Sequence, residues 1–288
     1  MAERFEYKVP AWFRRGFQLT ARAAPSLAST WAMSLFFTPW RPRIPPEARA
    51  ALHRGQRFSF ESSQERVVGW SWGAGAPVLL VHGWSGHAGQ LTTIAEKLSS
   101  RGYRAIALDL PAHGESSGKR TSLVHFADAI AGASRLFGPL HAIIAHSLGA
   151  AAATLALRRE ILRVERAVFI SPVAELEGIW ARFRRGVGLT PAAWQGMRQK
   201  SENWLKVSFD DIIPLRAAPA LSTPLLIVHD QQDREIPIDE ARALRAAWPG
   251  AELHETSQLG HIRILRDPNV SERIAQFLVA RSPKGLAA

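Results

Sequence analysis

Short apolar runs alternate with stretches of helical composition along most of this chain, and no other feature restricts its fold so tightly. The runs are Val78–His82, Ala105–Asp109, His141–His146, Ala167–Ser171, Leu225–His229 and Glu252–Glu255. Most are too apolar to leave either face in water, which is the pattern of parallel strands covered on both sides. The intervening stretches Gln90–Ser100, Thr121–Phe137, Leu148–Arg159, Asp239–Trp248 and Asn269–Ala280 supply the covering helices, and Pro249-Gly250 stops the fourth. Crossovers of this length give right-handed βαβ units. Arg57–Glu61 and Arg66–Trp72 precede them as an opening pair of strands. The expectation is an α/β fold: a mostly parallel sheet with helices on both faces. With 288 residues and 47% hydrophobic content, one large domain with additions accounts for the length, and disorder is excluded.

Two segments break the rhythm. Residues 1–56 form an N-terminal helical arm and Pro-rich linker, leaving 57–171 and 220–288 as the core and 172–219 as a helical insertion of the kind that makes a lid. In the arm, Phe17, Ala21, Ala24, Ala28, Trp31 and Leu35 recur at steps of four and three, the spacing of one helix face. Pro25 splits that helix in two, and Pro39, Pro42, Pro45 and Pro46 predict a stiff, extended connection. The arm either packs on the body or lays Trp12, Phe13, Phe17, Trp31, Phe36 and Phe37 in a membrane interface with Arg14, Arg15 and Arg22 at the phosphates. The first reading is preferred, because aromatic stripes at helical spacing are usually buried. Ala23 to Trp40 is uncharged but carries Pro25, Pro39 and several hydroxyl residues, a poor spanning segment.

The formal net charge is +11, which raises nucleic acid or anionic lipid as partners. Its placement argues against nucleic acid: residues 1–57 hold ten Lys or Arg against three Glu, and the remaining chain is nearly balanced. What the charge leaves open as a partner is an anionic membrane surface, met through residues 1–40 under the second reading of the arm. Cysteine is absent, so thiol nucleophiles, disulfides and thiolate metal sites are excluded. No His-Glu-x-x-His helix or phosphate-binding glycine loop occurs, so neither a metal nor any other cofactor is expected. The mixed charge of MAERFEYKVP does not resemble a secretory leader, and a cytoplasmic protein, peripheral to the membrane under the second reading of the arm, is expected.

The most informative pentad is Ala145-His146-Ser147-Leu148-Gly149, at the end of an apolar strand and the start of an alanine-rich helix. Small residues at Ala145 and Gly149 let a strand turn sharply into a helix and lift the Ser147 hydroxyl above the sheet edge. A serine here could also act only as an N-terminal helix cap. In this motif and in the order of the segments that follow, the chain resembles the α/β-hydrolase family from about Arg57 to Ala280, departing from its G-x-S-x-G pattern by one methyl at Ala145. The resemblance implies Ser147 as nucleophile, with an acid and a histidine following in that order on later strand ends.

Asp233, in Asp230-Gln231-Gln232-Asp233, resembles the family's acid and is preferred to Asp230. His261, in Leu259-Gly260-His261, resembles its general base. Val81-His82-Gly83-Trp84 resembles the oxyanion loop, which makes the Trp84 and Leu148 backbone N–H groups the donors, with His82 bracing the loop. Asp109 to Ser116 resembles a further family loop, in which Asp109 and His113 organise backbone. The implied activity is a serine hydrolase acting through an acyl-enzyme on a carboxylic ester of modest size, with Trp180, Phe183, Trp194 and Trp204 lining or covering an apolar pocket. Thioester cleavage, acyl transfer and carbon–carbon bond hydrolysis use the same scaffold. A non-catalytic binding or membrane-docking protein is the alternative of another class.

Overall fold

The computed structural model describes residues 9–279. The first eight residues of the arm, and residues 280–288 of the expected core, including the end of the last helix at Ala280, lie outside them. Eight strands make one sheet: β1 (Gln56–Ser62), β2 (Glu65–Trp72), β3 (Pro77–Val81), β4 (Arg104–Asp109), β5 (Leu140–His146), β6 (Val164–Ile170), β7 (Leu225–Asp230) and β8 (Glu252–Thr256). Their order is β1-β2-β4-β3-β5-β6-β7-β8. β1 pairs antiparallel with β2, and β2 with β4, with Trp70 opposite Ala107; every other pairing is parallel.

The helices are α1 (Ala11–Ala23), α2 (Pro25–Phe36), α3 (Pro46–His53), α4 (Thr92–Ser100), α5 (Leu123–Phe137), α6 (Leu148–Arg158), α7 (Glu177–Val187), α8 (Pro191–Leu205), α9 (Pro214–Ala217), α10 (Ile238–Ala247), α11 (Gly260–Arg263) and α12 (Pro268–Val279). They bury the sheet from both sides, as the apolar runs require. On one face α3, α4 and α12 send Leu52, Ile94, Leu98, Ile274 and Phe277 against Val68, Leu80, Ile144 and Val228. On the other, α5, α6 and α10 meet Leu79, Ile143, Phe169 and Ile227, and this core continues outward into α1, α2, α7 and α8. Ser122 caps α5, its hydroxyl accepting from the Val124 and His125 amides.

The arm is two helices broken at Ala24, with Pro25 at the first position of α2, where its missing N–H is harmless. Phe17, Ala21 and Ala28 of the expected face are buried, Ala24 and Leu35 are half-buried, and Trp31 is exposed. α2 is fixed by the Ser29 hydroxyl donating to the Ala193 carbonyl of α8 at 2.9 Å, where the bare Cα of Gly196 makes room for it. The Pro-rich connection is less extended than its composition suggests. Pro46 opens α3, whose Ala48, Ala51 and Leu52 are buried, because Pro at a first helical position starts a helix as readily as it interrupts one. Among the described residues no helix is long and apolar enough to cross a membrane.

Candidate active site

Strand order reverses between β3 and β5: β4 and β2 continue on one side, and β6, β7 and β8 on the other. In open α/β sheets such a switch point leaves a crevice beyond the carboxyl ends of the strands. Trp84 follows β3, Ser147 follows β5, Asp233 follows β7 and His261 follows β8, so residues far apart in sequence are delivered to one end of the sheet.

Ser147 sits between β5 and α6 with φ 53° and ψ −122°, a conformation costly for a residue with a side chain. Its surroundings hold it there. The Ser147 N–H donates to the Ile170 carbonyl at 3.0 Å. A Cβ on Gly83 would lie 2.8 Å from the Ser147 Cβ, and one on Gly149 would lie 2.5 Å from the His82 carbonyl oxygen. Both glycines are thus required by close approach, and the turn cannot relax without moving β3.

His261 donates from Nδ1 to Asp233 Oδ2 at 2.7 Å, with both side chains buried. That bond leaves Nε2 as the basic nitrogen. The other Asp233 oxygen, Oδ1, accepts from the Glu235 and Ile236 amides at 2.8 and 3.0 Å. Burial alone would raise the Asp233 pKa, but the His261 hydrogen bond and charge, with the two amides, outweigh it and hold the carboxyl at about 2. Asp230, the other sequence candidate, makes no hydrogen bond to the imidazole among the described residues. Its carboxylate accepts from the Gln232 amide at 2.9 Å, the Leu259 amide at 2.9 Å and the Thr256 hydroxyl at 3.0 Å, tying the acid loop to the histidine loop. No hydrogen bond joins the Ser147 hydroxyl to the His261 ring among the described residues; Nε2 lies 3.7 Å from the Glu235 carboxylate. Such contacts commonly tighten only when substrate binds.

Neither the Trp84 nor the Leu148 amide donates to a protein acceptor among the described residues. Leu148 opens α6, where helical geometry leaves the first N–H groups free. The Trp84 loop is braced from below. His82 Nε2 accepts from the Leu110 amide at 3.0 Å, so its Nδ1 carries the proton donated to the Gly83 carbonyl at 2.7 Å. His113 repeats the pattern, Nε2 accepting from the Ser85 amide and Nδ1 donating to Pro111. Burial lowers both rings' pKa values, His113 to about 4, and keeps them neutral. Asp109 accepts from the Ala88 and Glu115 amides, and burial raises its carboxyl to about 6.

Sequence reasoning gave no structural role to His146 beyond its place in the elbow, or to His229. His146 is buried, burial lowers its pKa well below the ordinary value, and its Nε2 donates to the His261 carbonyl at 3.0 Å. His229 Nε2 donates to the Ile236 carbonyl at 3.0 Å and stands 3.5 Å from Asp233 Oδ2. One ring steadies the histidine loop and the other the acid loop. The only sequence signal for either was a polar residue at the end of an apolar strand.

A cavity of about 1660 Å³ opens over these groups and is lined by Ser147, His261, Asp233, Trp84 and Leu148. Of the four aromatics expected to line it, Trp180 and Phe183 of α7 do so. Trp194 and Trp204 do not. The Trp194 ring lies under the Arg184 guanidinium, 4.9 Å from its centroid, and near Trp180 and Phe209. Trp204 meets Phe37 edge-on at 5.1 Å and His125 at a tilt at 5.0 Å. Each packs on a residue that does line the cavity, Trp194 on Trp180 and Trp204 on Phe37. The wall that sequence reasoning missed comes from the arm: Leu35, Phe36, Phe37, Thr38 and Trp40 line the cavity, with Phe36 set edge-on to Phe183 at 4.9 Å. Only the uncharged character of Ala23–Trp40 hinted at it. Among the described residues no group of three His, Asp or Glu is placed to hold a metal ion.

A model of the alpha/beta hydrolase family matches residues 78–274, more than half of the chain. The chain belongs to the alpha/beta hydrolase family. No curated protein matches this hydrolase's sequence significantly. Solved structures share its fold. A thermophilic esterase from Thermogutta terrifontis is 20% identical with a TM-score of 0.60, over 78% of this chain and 98% of that one. An esterase from Exiguobacterium antarcticum is 16% identical, TM-score 0.61, over 77% and 99%. A bromoperoxidase from Bacillus anthracis is 14% identical, TM-score 0.61, over 78% and 99%. Different named chemistries on one scaffold leave the reaction of this hydrolase to be argued from its own residues.

Proposed function

We propose that this hydrolase is a serine esterase. Ser147 attacks the carbonyl carbon of a carboxylic ester while His261 Nε2 takes its proton. Asp233 keeps the imidazole in the tautomer with Nδ1 protonated and stabilises the imidazolium. The oxygen of the tetrahedral intermediate is met by the Trp84 and Leu148 amides, each worth roughly 3 to 4 kcal/mol of barrier in such sites. Collapse returns the proton from His261 to the departing alcohol and leaves an acyl-enzyme. Water, deprotonated by the same nitrogen, then releases the acid and regenerates Ser147.

The observation that carries this reading is the bond of 2.7 Å from His261 Nδ1 to Asp233 beside a strained serine on the wall of one cavity. The mainly apolar aromatic walls suit an acyl chain. At about 1660 Å³ the cavity is roomier than the ~300–1,000 Å³ of ordinary ligand pockets, which widens the expected ester of modest size to longer chains. A fluorophosphonate probe tests the assignment: it should label the protein stoichiometrically and label Ser147→Ala not at all. A folded wild-type protein that takes up no label would return the chain to the class of non-catalytic binding proteins.

A further inference from the structure

Nine large hydrophobic side chains are exposed among the described residues, and five of them, Trp12, Leu19, Leu27, Trp31 and Trp40, lie within α1, α2 and the four residues that follow. Such clustering is not the scattered exposure of an ordinary surface. On α1 the exposed residues Trp12, Arg15, Leu19 and Arg22 follow one another at steps of three and four, opposite buried Phe17 and Ala21. Indole rings and long aliphatic stems ending in charge are the side chains suited to a boundary between hydrocarbon and water. The chain has no acidic residue from Tyr7 to Pro46. Arg14, Arg15 and Arg22 are exposed and make no ion pair among the described residues.

This same segment forms part of the cavity wall. Leu35, Phe36 and Phe37 face the interior, and Trp40 both lines the cavity and is 79% exposed, placing it at the rim. We propose that α1, α2 and Trp40 seat the hydrolase on an anionic membrane surface, and that the cavity draws a long-chain acyl ester from that surface past Trp40. The basic residues meet the anionic headgroups, the exposed indoles and leucines enter the boundary beneath them, and the apolar inner wall continues the path toward Ser147. The delivery half of this proposal rests on the esterase reading; the docking half does not.

The test uses the full-length protein, Arg14→Gln/Arg15→Gln/Arg22→Gln and Trp12→Ser/Leu19→Ser, all substituted at exposed positions away from the cavity. Sedimentation is measured with vesicles of equimolar phosphatidylglycerol and phosphatidylcholine and with phosphatidylcholine alone. Wild type should sediment with the anionic vesicles and be released by salt. Each arginine removed should weaken binding about fivefold, and the tryptophan–leucine pair at least about tenfold. Hydrolysis of p-nitrophenyl butyrate in solution should be unchanged in both variants, while hydrolysis of a long-chain ester carried in anionic vesicles should fall with their binding. Absence of wild-type sedimentation, or equal sedimentation of the variants, overturns the docking. So does a soluble dimer that the Trp12→Ser/Leu19→Ser change dissociates while vesicles go unbound, since a second copy would then own this face. Vesicle binding without turnover of any ester keeps the docking and removes both the delivery and the esterase reading.

Discussion

Replacing Asp233 with Asn puts the weight of the proposed mechanism on a single atom. Oδ1 of Asp233 is held by the Glu235 and Ile236 amides, so an asparagine turns its carbonyl oxygen to them and its NH2 group toward His261. Two N–H donors cannot share the 2.7 Å separation now filled by the Nδ1 to Oδ2 bond. The ring must therefore carry its proton on Nε2 and present Ser147 with a donor in place of a base. An equivalent change in a serine protease lowers kcat about 10⁴-fold, or about 5.5 kcal/mol of barrier. A loss of that size is expected here, with geometry otherwise retained. The assay is the pre-steady-state burst of p-nitrophenolate from p-nitrophenyl butyrate at pH 7, with circular dichroism confirming the fold. An Asp233→Asn variant within about tenfold of wild type would refute the assignment of the orienting acid and, with it, the tautomer argument.

Asp230→Ala provides the contrast: it leaves the Gln232 and Leu259 amides and the Thr256 hydroxyl without their acceptor, and urea unfolding should show a loss of about 3 kcal/mol. A loss below about 1 kcal/mol would mean that the two loops are not held through this carboxylate. For His146, alanine removes the donor to the His261 carbonyl and should lower kcat on the order of 10- to 100-fold by letting the base drift; glutamine, whose side-chain N–H can reach the same oxygen, should recover most of it. Equal activities of the two variants would assign His146 to packing alone. Because the folded-state carboxyl of Asp233 lies at about 2, below its ordinary 3.8, its stabilisation is fully present above about pH 4 and disappears as pH falls toward 2. It amounts to about 2 kcal/mol that Asp233→Asn should lack, so the two stability curves should converge in acid; parallel curves down to pH 2 would contradict the pairing.

The sheet was legible because its interior strands bury both faces: Val78–Val81 and Leu225–Val228 can be little else than strands covered by helices. The serine turn was legible because close packing demands small residues beside it. Asp233 and His261 were nameable through a familiar order of segments, though no spacing along the chain requires them to meet at 2.7 Å. The α8 tryptophans misled because composition marks a residue as apolar without marking which apolar neighbour it finds. Trp194 and Trp204 satisfy that need against Arg184 and Phe37. The arm misled in the opposite sense: a segment with helical periodicity on one face has a second face, and the sequence holds no term that assigns it to a cavity. The hydrogen bonds of His146 and His229 depend on the final juxtaposition of loops and had no local signature.

Phe36, Phe37 and Trp40 stand well upstream of residue 78, where the family match begins. The cavity beside Ser147 is therefore walled in part by residues that lie outside the stretch matched by the family. Two hydrolases can share every atom at the ends of their strands and still admit different molecules, according to what their opening residues choose to wall off.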